Sequence, residues 1–117
     1  MRDQPDLQDE VWSSASARRS WRLMVERNFH REPHTFDFVF YCADESSAQD
    51  LATYLRRDGK TPVSIEVRER YYDQPAVWSV RGHTPHGVPT EVFLIALYSW
   101  IRNTARRFNC ECNSLGF

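Results

Sequence analysis

Between Thr35 and Cys112 the apolar residues change period in a definite order. They recur at every second position over Phe36, Phe38, Phe40 and Cys42, then at every third or fourth over Ala48, Leu51, Ala52 and Leu55. Period two marks a strand with one buried face, and period 3.6 marks a helix with one apolar stripe. Two more strand-like runs follow, with Val63, Ile65 and Val67 in the first and Trp78 and Val80 in the second. A long helical run begins at Pro89 or Thr90, and Phe108, Cys110 and Cys112 alternate as a last strand. The order β-α-β-β-α-β is that of the split βαβ, or ferredoxin-like, α+β sandwich.

Local signals agree with these boundaries. Asp44 suits the N-cap of the first core helix and Glu45 its positive end, while Gly59 stands where a left-handed C-cap belongs. Pro62 opens the second strand, and Tyr71 to Pro75 reads as a hairpin turn. Glycines and prolines make Gly82 to Pro89 a loop. The helix beyond it carries two apolar stripes, Phe93, Ala96, Leu97, Trp100 and Thr104, and Leu94, Tyr98, Ile101 and Ala105. So wide an apolar arc needs cover beyond one sheet face, from an N-terminal helix or from a second protomer in a homodimer. That additional helix is expected over Ser14 to Phe29, with Trp21, Met24, Val25 and Phe29 on one face. Residues 1–14 are polar and read as a flexible lead-in, leaving 15–117 as a single domain.

With 117 residues there is room for one core, and 41% hydrophobic and 26% charged residues are ordinary for a folded domain. No apolar run reaches the roughly 18 residues of a membrane span, and the N-terminus has no apolar signal-peptide core. A cytoplasmic location and no membrane association are therefore expected. Three cysteines make an odd count, which argues for reduced thiols. Fifteen basic against 16 acidic residues give a net charge of −1, which argues against a dedicated nucleic-acid binder.

In this topology the first and third strands are expected at the centre of the sheet. The face away from the helices then presents Asp37, Val39, Tyr41, Glu66, Arg68, Ser79, Arg81, His83 and Glu111. Three kinds of chemistry have candidate residues in this chain. His83 and His86 with Cys110 and Cys112 are zinc-type ligands, but their spacing matches no common zinc module, and cysteines on an inward strand face are ordinary core residues. A metal- or ligand-binding homodimeric enzyme using His83 and His86 stays as the alternative, with no catalytic, metal or cofactor site assigned. Cys42 as a nucleophile lacks a surrounding signature and is expected inward. RNA-recognition modules share the topology but stack bases on two or three central-strand aromatics, where this chain offers Tyr41. Direct RNA binding is the weakest alternative.

Three stretches resemble the ribonuclease E inhibitor family, the regulators of ribonuclease E activity B. The first is Phe36-Asp37-Phe38-Val39-Phe40-Tyr41, running into Ala48, Leu51, Ala52, Leu55 and Gly59, then Val63. The second is Trp78-Ser79-Val80 before a loop and a long helix. The third is Ala105 to Gly116, in which Ala105, Phe108, Glu111 and Gly116 match the family pattern. There Cys112 stands in place of an aromatic, and Asn113, Ser114 and Leu115 stand where the family often has Asp, Gly and Trp. The resemblance implies a non-enzymatic regulator that binds a protein, ribonuclease E or its scaffold region, and uses no cofactor. Large aromatic and Arg side chains anchor interfaces, so Tyr41 and Arg81 are expected to lead the contact, with Asp37, Glu66 and Glu111 around them.

Overall fold

The computed structural model describes residues 7–57, 67–72 and 74–116. Among the described residues four strands form one antiparallel sheet in the order β2-β3-β1-β4, and four helices accompany it. The helices are α1 (Leu7–Val11), α2 (Ser14–Glu26), α3 (Glu45–Arg57) and α4 (Glu91–Arg107). The strands are β1 (Asp37–Cys42), β2 (Val67–Tyr72), β3 (Gln74–His83) and β4 (Cys110–Gly116). As expected, β1 and β3 are central, and each is antiparallel to both its neighbours.

The inward face of β1 is the floor of the core. Phe36, Phe38, Phe40 and Cys42 are all nearly or fully buried. Small residues let α3 approach closely: Ala48 and Ala52 are fully buried beside Leu51 and Leu55. Its N-terminus is held by Asp44, whose Oδ1 accepts from the Ser47 N–H at 2.7 Å. Thr90 caps α4 in the same way, its hydroxyl accepting from the Phe93 N–H at 3.0 Å. Each cap satisfies a backbone donor that the first helical turn leaves open. At the other end of α4, Arg107 lies 4.8 Å over the Tyr54 ring of α3, a cation–π contact between the two core helices.

The two stripes of α4 have different neighbours. Trp100 meets Phe38 and Phe40 of β1 edge to face, with ring centroids 5.3 and 6.1 Å apart, and Phe93 lies against Phe36. On the second stripe Tyr98 meets Ser20 of α2, hydroxyl to hydroxyl at 2.6 Å, and the Trp12 ring, with centroids 5.0 Å apart. The N-terminal helix of the same chain thus covers the arc for which a second protomer was the other candidate. Ala96, placed in the first stripe by periodicity, is exposed.

From Leu7 on, the N-terminal segment differs from the flexible lead-in expected over residues 1–14. Residues Leu7–Val11 are helical, and Trp12 is 2% exposed, its indole N–H donating to the Cys112 carbonyl at 2.8 Å. That carbonyl belongs to edge strand β4, so Trp12 satisfies an acceptor on the sheet margin. The Ser16 hydroxyl donates to the Glu10 carbonyl at 2.8 Å, and Arg106 pairs with Asp9. A single tryptophan has no periodicity, which is why its anchorage escapes a pattern reading.

On α2 the buried side chains are Ala17 and Met24, with Trp21 partly buried, whereas Val25 and Phe29 are 42% and 39% exposed. The helix ends at Glu26, before the expected Phe29, in a Schellman turn. Asn28 has φ 61°, its N–H donates to the Val25 carbonyl, and the Phe29 N–H donates to the Met24 carbonyl at 2.8 Å. That turn carries Phe29 away from the buried face.

The β2–β3 hairpin also departs from expectation. Tyr71 and Tyr72 lie in β2, Gln74 and Pro75 lie in β3, and Gln74 pairs with Tyr72, so four of the five residues expected in the turn belong to strands. The register shifts between Arg70 and Tyr72, opposite the start of β3, where Pro75 has no N–H to give to a ladder. The expected C-cap Gly59, Pro62, and the inward positions Val63 and Ile65 lie outside the described residues. A second irregularity sits between β1 and β4: the register steps from Phe38↔Leu115 to Phe40↔Cys112. The extra residue returns Leu115 to the inward phase, and Leu115 is partly buried against the core.

The cysteines correct a further expectation. Cys42 and Cys110 are directly opposed across β1 and β4, with Cα atoms 4.6 Å apart, and are joined as a disulfide. Cys112 is fully buried outside that bond. An odd cysteine count says nothing about which two residues the sheet register sets face to face.

Candidate functional site

The β1–β3 register assembles most of the expected face. Tyr41 sits opposite Ser79 on β3 and opposite Glu111 on β4, Val39 opposite Arg81, and Asp37 opposite His83. Opposed residues on one face of an antiparallel pair have Cβ atoms about 5 Å apart, and diagonal neighbours lie about 7–8 Å apart. Arg81 is therefore diagonal to both Asp37 and Tyr41. From Asp37 to Tyr41 the face runs roughly 14 Å along β1. Asp37, Arg81 and Glu111 are exposed, and Tyr41, Val39 and His83 are partly buried. Ser79 is 5% exposed, so the centre of the face is filled rather than cupped.

Charge is divided across this surface. The acids Asp37 and Glu111 stand on β1 and β4, while Arg81 stands on β3. Glu66, expected with this group, lies outside the described residues. The four described members of the expected set, Asp37, Tyr41, Arg81 and Glu111, share one face.

One end of the face is pinned by backbone pairing. The Thr84 N–H donates to the Phe36 carbonyl at 2.9 Å, and the Phe36 N–H donates to the Thr84 hydroxyl at 3.0 Å. Further along, His34 and Gly87 exchange two backbone bonds of 2.8 and 3.1 Å. The loop after β3 is thus tied back to the start of β1 at two points, while Pro85, His86, Gly87 and Val88 between and beyond them are exposed. His86 Nδ1 lies 3.1 Å from the Thr35 hydroxyl, which fixes the imidazole beside the start of β1.

The zinc-type residues are separated by the sheet. His83 shares the open face with Asp37, whereas Cys110 and Cys112 are buried on the helix side and Cys110 is bonded to Cys42. Among the described residues no three His, Cys, Asp or Glu side chains converge as a metal site. Cys42, weighed as a nucleophile, is fully buried and in the disulfide. For base stacking, the described outward positions of β1 and β3 supply one aromatic ring besides a histidine, Tyr41 and His83, with arginine and serine between them.

Sequence reasoning passed over a concavity on the helical side of the sheet. A cavity of about 160 Å³ lies where α2, α4 and the end of β4 meet, lined by Met24, Leu94 and Leu115 among others. Leu23 and Phe29 at its edge are exposed apolar side chains; periodicity places Phe29 on the buried face of the helix and singles out nothing at Leu23.

No protein-family model and no curated protein matches this chain. No described helix is long and apolar enough to cross a membrane.

Proposed function

We propose that this chain is a ferredoxin-like, non-enzymatic binding module that docks a partner protein on its open sheet face. The fold reading is supported by the strand order, the antiparallel neighbours, and the helices that join β1 to β2 and β3 to β4. One observation carries the functional reading: Tyr41 and Arg81 are diagonal neighbours at the middle of a face flanked by Asp37 and Glu111. Aromatic and Arg anchors ringed by charge are the usual composition of a protein-binding hot spot. The divided charge asks for a partner with the reverse arrangement, which gives register and orientation more than raw affinity.

The resemblance over Phe36 to Gly116 nominates ribonuclease E or its scaffold region as that partner. Binding would regulate RNA degradation by occupying nuclease or scaffold surface, without chemistry by this chain. A cytoplasmic setting goes with this proposal.

The test is calorimetric titration of purified ribonuclease E, and separately of its scaffold region, with the wild-type chain and with Tyr41→Ala plus Arg81→Ala. If each anchor contributes about 2 kcal/mol, the double variant loses on the order of 10²- to 10³-fold in affinity. Undiminished binding by the double variant refutes the face. No binding by the wild-type chain refutes the partner.

A further inference from the structure

We propose that the cavity between α2 and α4 is a binding site for a small amphipathic monocarboxylate, an aryl-substituted or short-chain alkanoic acid. It lies on the helical side of the molecule, away from Tyr41 and Arg81, and does not depend on the sheet-face reading. Its α2 wall is one stripe: Ser20, Leu23, Met24 and Arg27 follow at i, i+3, i+4 and i+7. Phe29, Phe36, Leu94 and Leu115 complete the apolar lining. Size limits the occupant. The volume is about 160 Å³, and an apolar cavity of about 150 Å³ accommodates a benzene ring. One ring or a chain of about six carbons fits by that measure, and a long acyl chain or a nucleotide does not.

The polar groups select the charge. Arg27 lines the cavity and has no ion-pair partner among the described residues. A guanidinium beside an apolar mouth matches a carboxylate in shape and charge. Arg27 follows the last residue of α2, where helix carbonyls would repel an anion. Here those carbonyls are occupied: Leu23, Val25 and Met24 accept from the N–H groups of Arg27, Asn28 and Phe29. The Schellman turn thus removes much of the local objection to a carboxylate. Toward the other end of the stripe, Ser20 and Tyr98 share one hydrogen bond between two hydroxyls, so one O–H remains to donate. Two rims are already apolar and exposed, Leu23 at 50% and Phe29 at 39%, so a ligand can enter without opening the core.

The experiment is an amide NMR titration of the full chain with 3-phenylpropionate, and with 3-phenylpropan-1-ol as the uncharged analogue. The expected result is saturable shifts confined to α2, Phe29 and the first half of α4, with a Kd of about 1 mM or tighter for the acid. Arg27→Met should weaken the acid about tenfold and leave the alcohol unchanged. Leu23→Trp, which places an indole over the mouth, should abolish binding of both. Leu23 and Arg27 are exposed, so both variants keep the fold, and unchanged shifts across the sheet verify it. No saturation by the acid, shifts centred elsewhere, equal acid affinity in Arg27→Met, or full binding by Leu23→Trp each overturns the proposal.

Discussion

Replacing Trp12 with alanine tests whether the N-terminal helices are part of the core. Trp12 is 2% exposed, donates to the Cys112 carbonyl at 2.8 Å, and meets the Tyr98 ring at 5.0 Å. Truncating a buried tryptophan to alanine costs about 3–5 kcal/mol, a figure that includes the cavity left behind. Loss of the indole N–H that donates to the Cys112 carbonyl is part of that cost, since a net hydrogen bond contributes about 1 kcal/mol. Unfolding entropy near 60 °C is about 2.1 cal/mol/K per residue, so 1 kcal/mol corresponds to roughly 4 °C for a chain of 117 residues. Trp12→Ala should therefore lower Tm by about 12–20 °C in a calorimetric scan. Trp12→Phe keeps most of the apolar area and loses the indole N–H, so its fall should be about 4–8 °C. A loss below about 3 °C for Trp12→Ala would refute the reasoning, because it would mean that the buried contacts carry less than 1 kcal/mol.

Asn28 holds φ 61° at the end of α2, so Asn28→Val should destabilise by about 1–2 kcal/mol while Asn28→Gly is neutral or slightly stabilising, as read from urea midpoints. The Cys42–Cys110 bond closes a sequence separation of 68, for which the chain-entropy estimate is about 4 kcal/mol. Oxidised protein unfolded in denaturant should titrate one thiol, that of Cys112, and reductant should expose three and lower the denaturation midpoint. Thr84→Val leaves the buried Phe36 N–H without the hydroxyl it donates to, so stability should fall by about 1–3 kcal/mol, with faster amide exchange at Phe36 in hydrogen-exchange NMR.

The parts of the fold legible in sequence are those in which one residue type repeats at one period. Phe36, Phe38 and Phe40 alternate without interruption, and all are buried. Ala48, Leu51, Ala52 and Leu55 keep helical spacing between a capping Asp44 and the closing Arg56 and Arg57. The parts that escaped depend on single residues meeting distant ones. Trp12 reaches Cys112 across 100 positions, and no local pattern announces it. The bulge between Phe38 and Phe40 moves Leu115 to the inward phase, reversing the alternation that Phe108, Cys110 and Cys112 establish. At the β2–β3 hairpin, Asp73 and Pro75 carry turn chemistry beside two tyrosines with strong strand preference, and the tyrosines prevail.

The face that carries Asp37 and Tyr41 was legible for the same reason as the core. Once alternation places Phe38 and Phe40 inward, it places Asp37, Val39 and Tyr41 on the opposite face. Only the register adds that Arg81 lies diagonal to Tyr41 and that Glu111 lies directly beside it. The α2–α4 cavity was illegible because its walls come from two helices, a strand end and the Phe29 turn, none of which predicts the others.

The most direct test of the account is a chemical-shift map of the isotope-labelled chain titrated with purified ribonuclease E. The account predicts that Val39, Tyr41, Ser79, Arg81 and Glu111 shift or broaden together while α2 and α4 stay unchanged. Changes centred on α2 and α4, or none anywhere at saturating ribonuclease E, would contradict it.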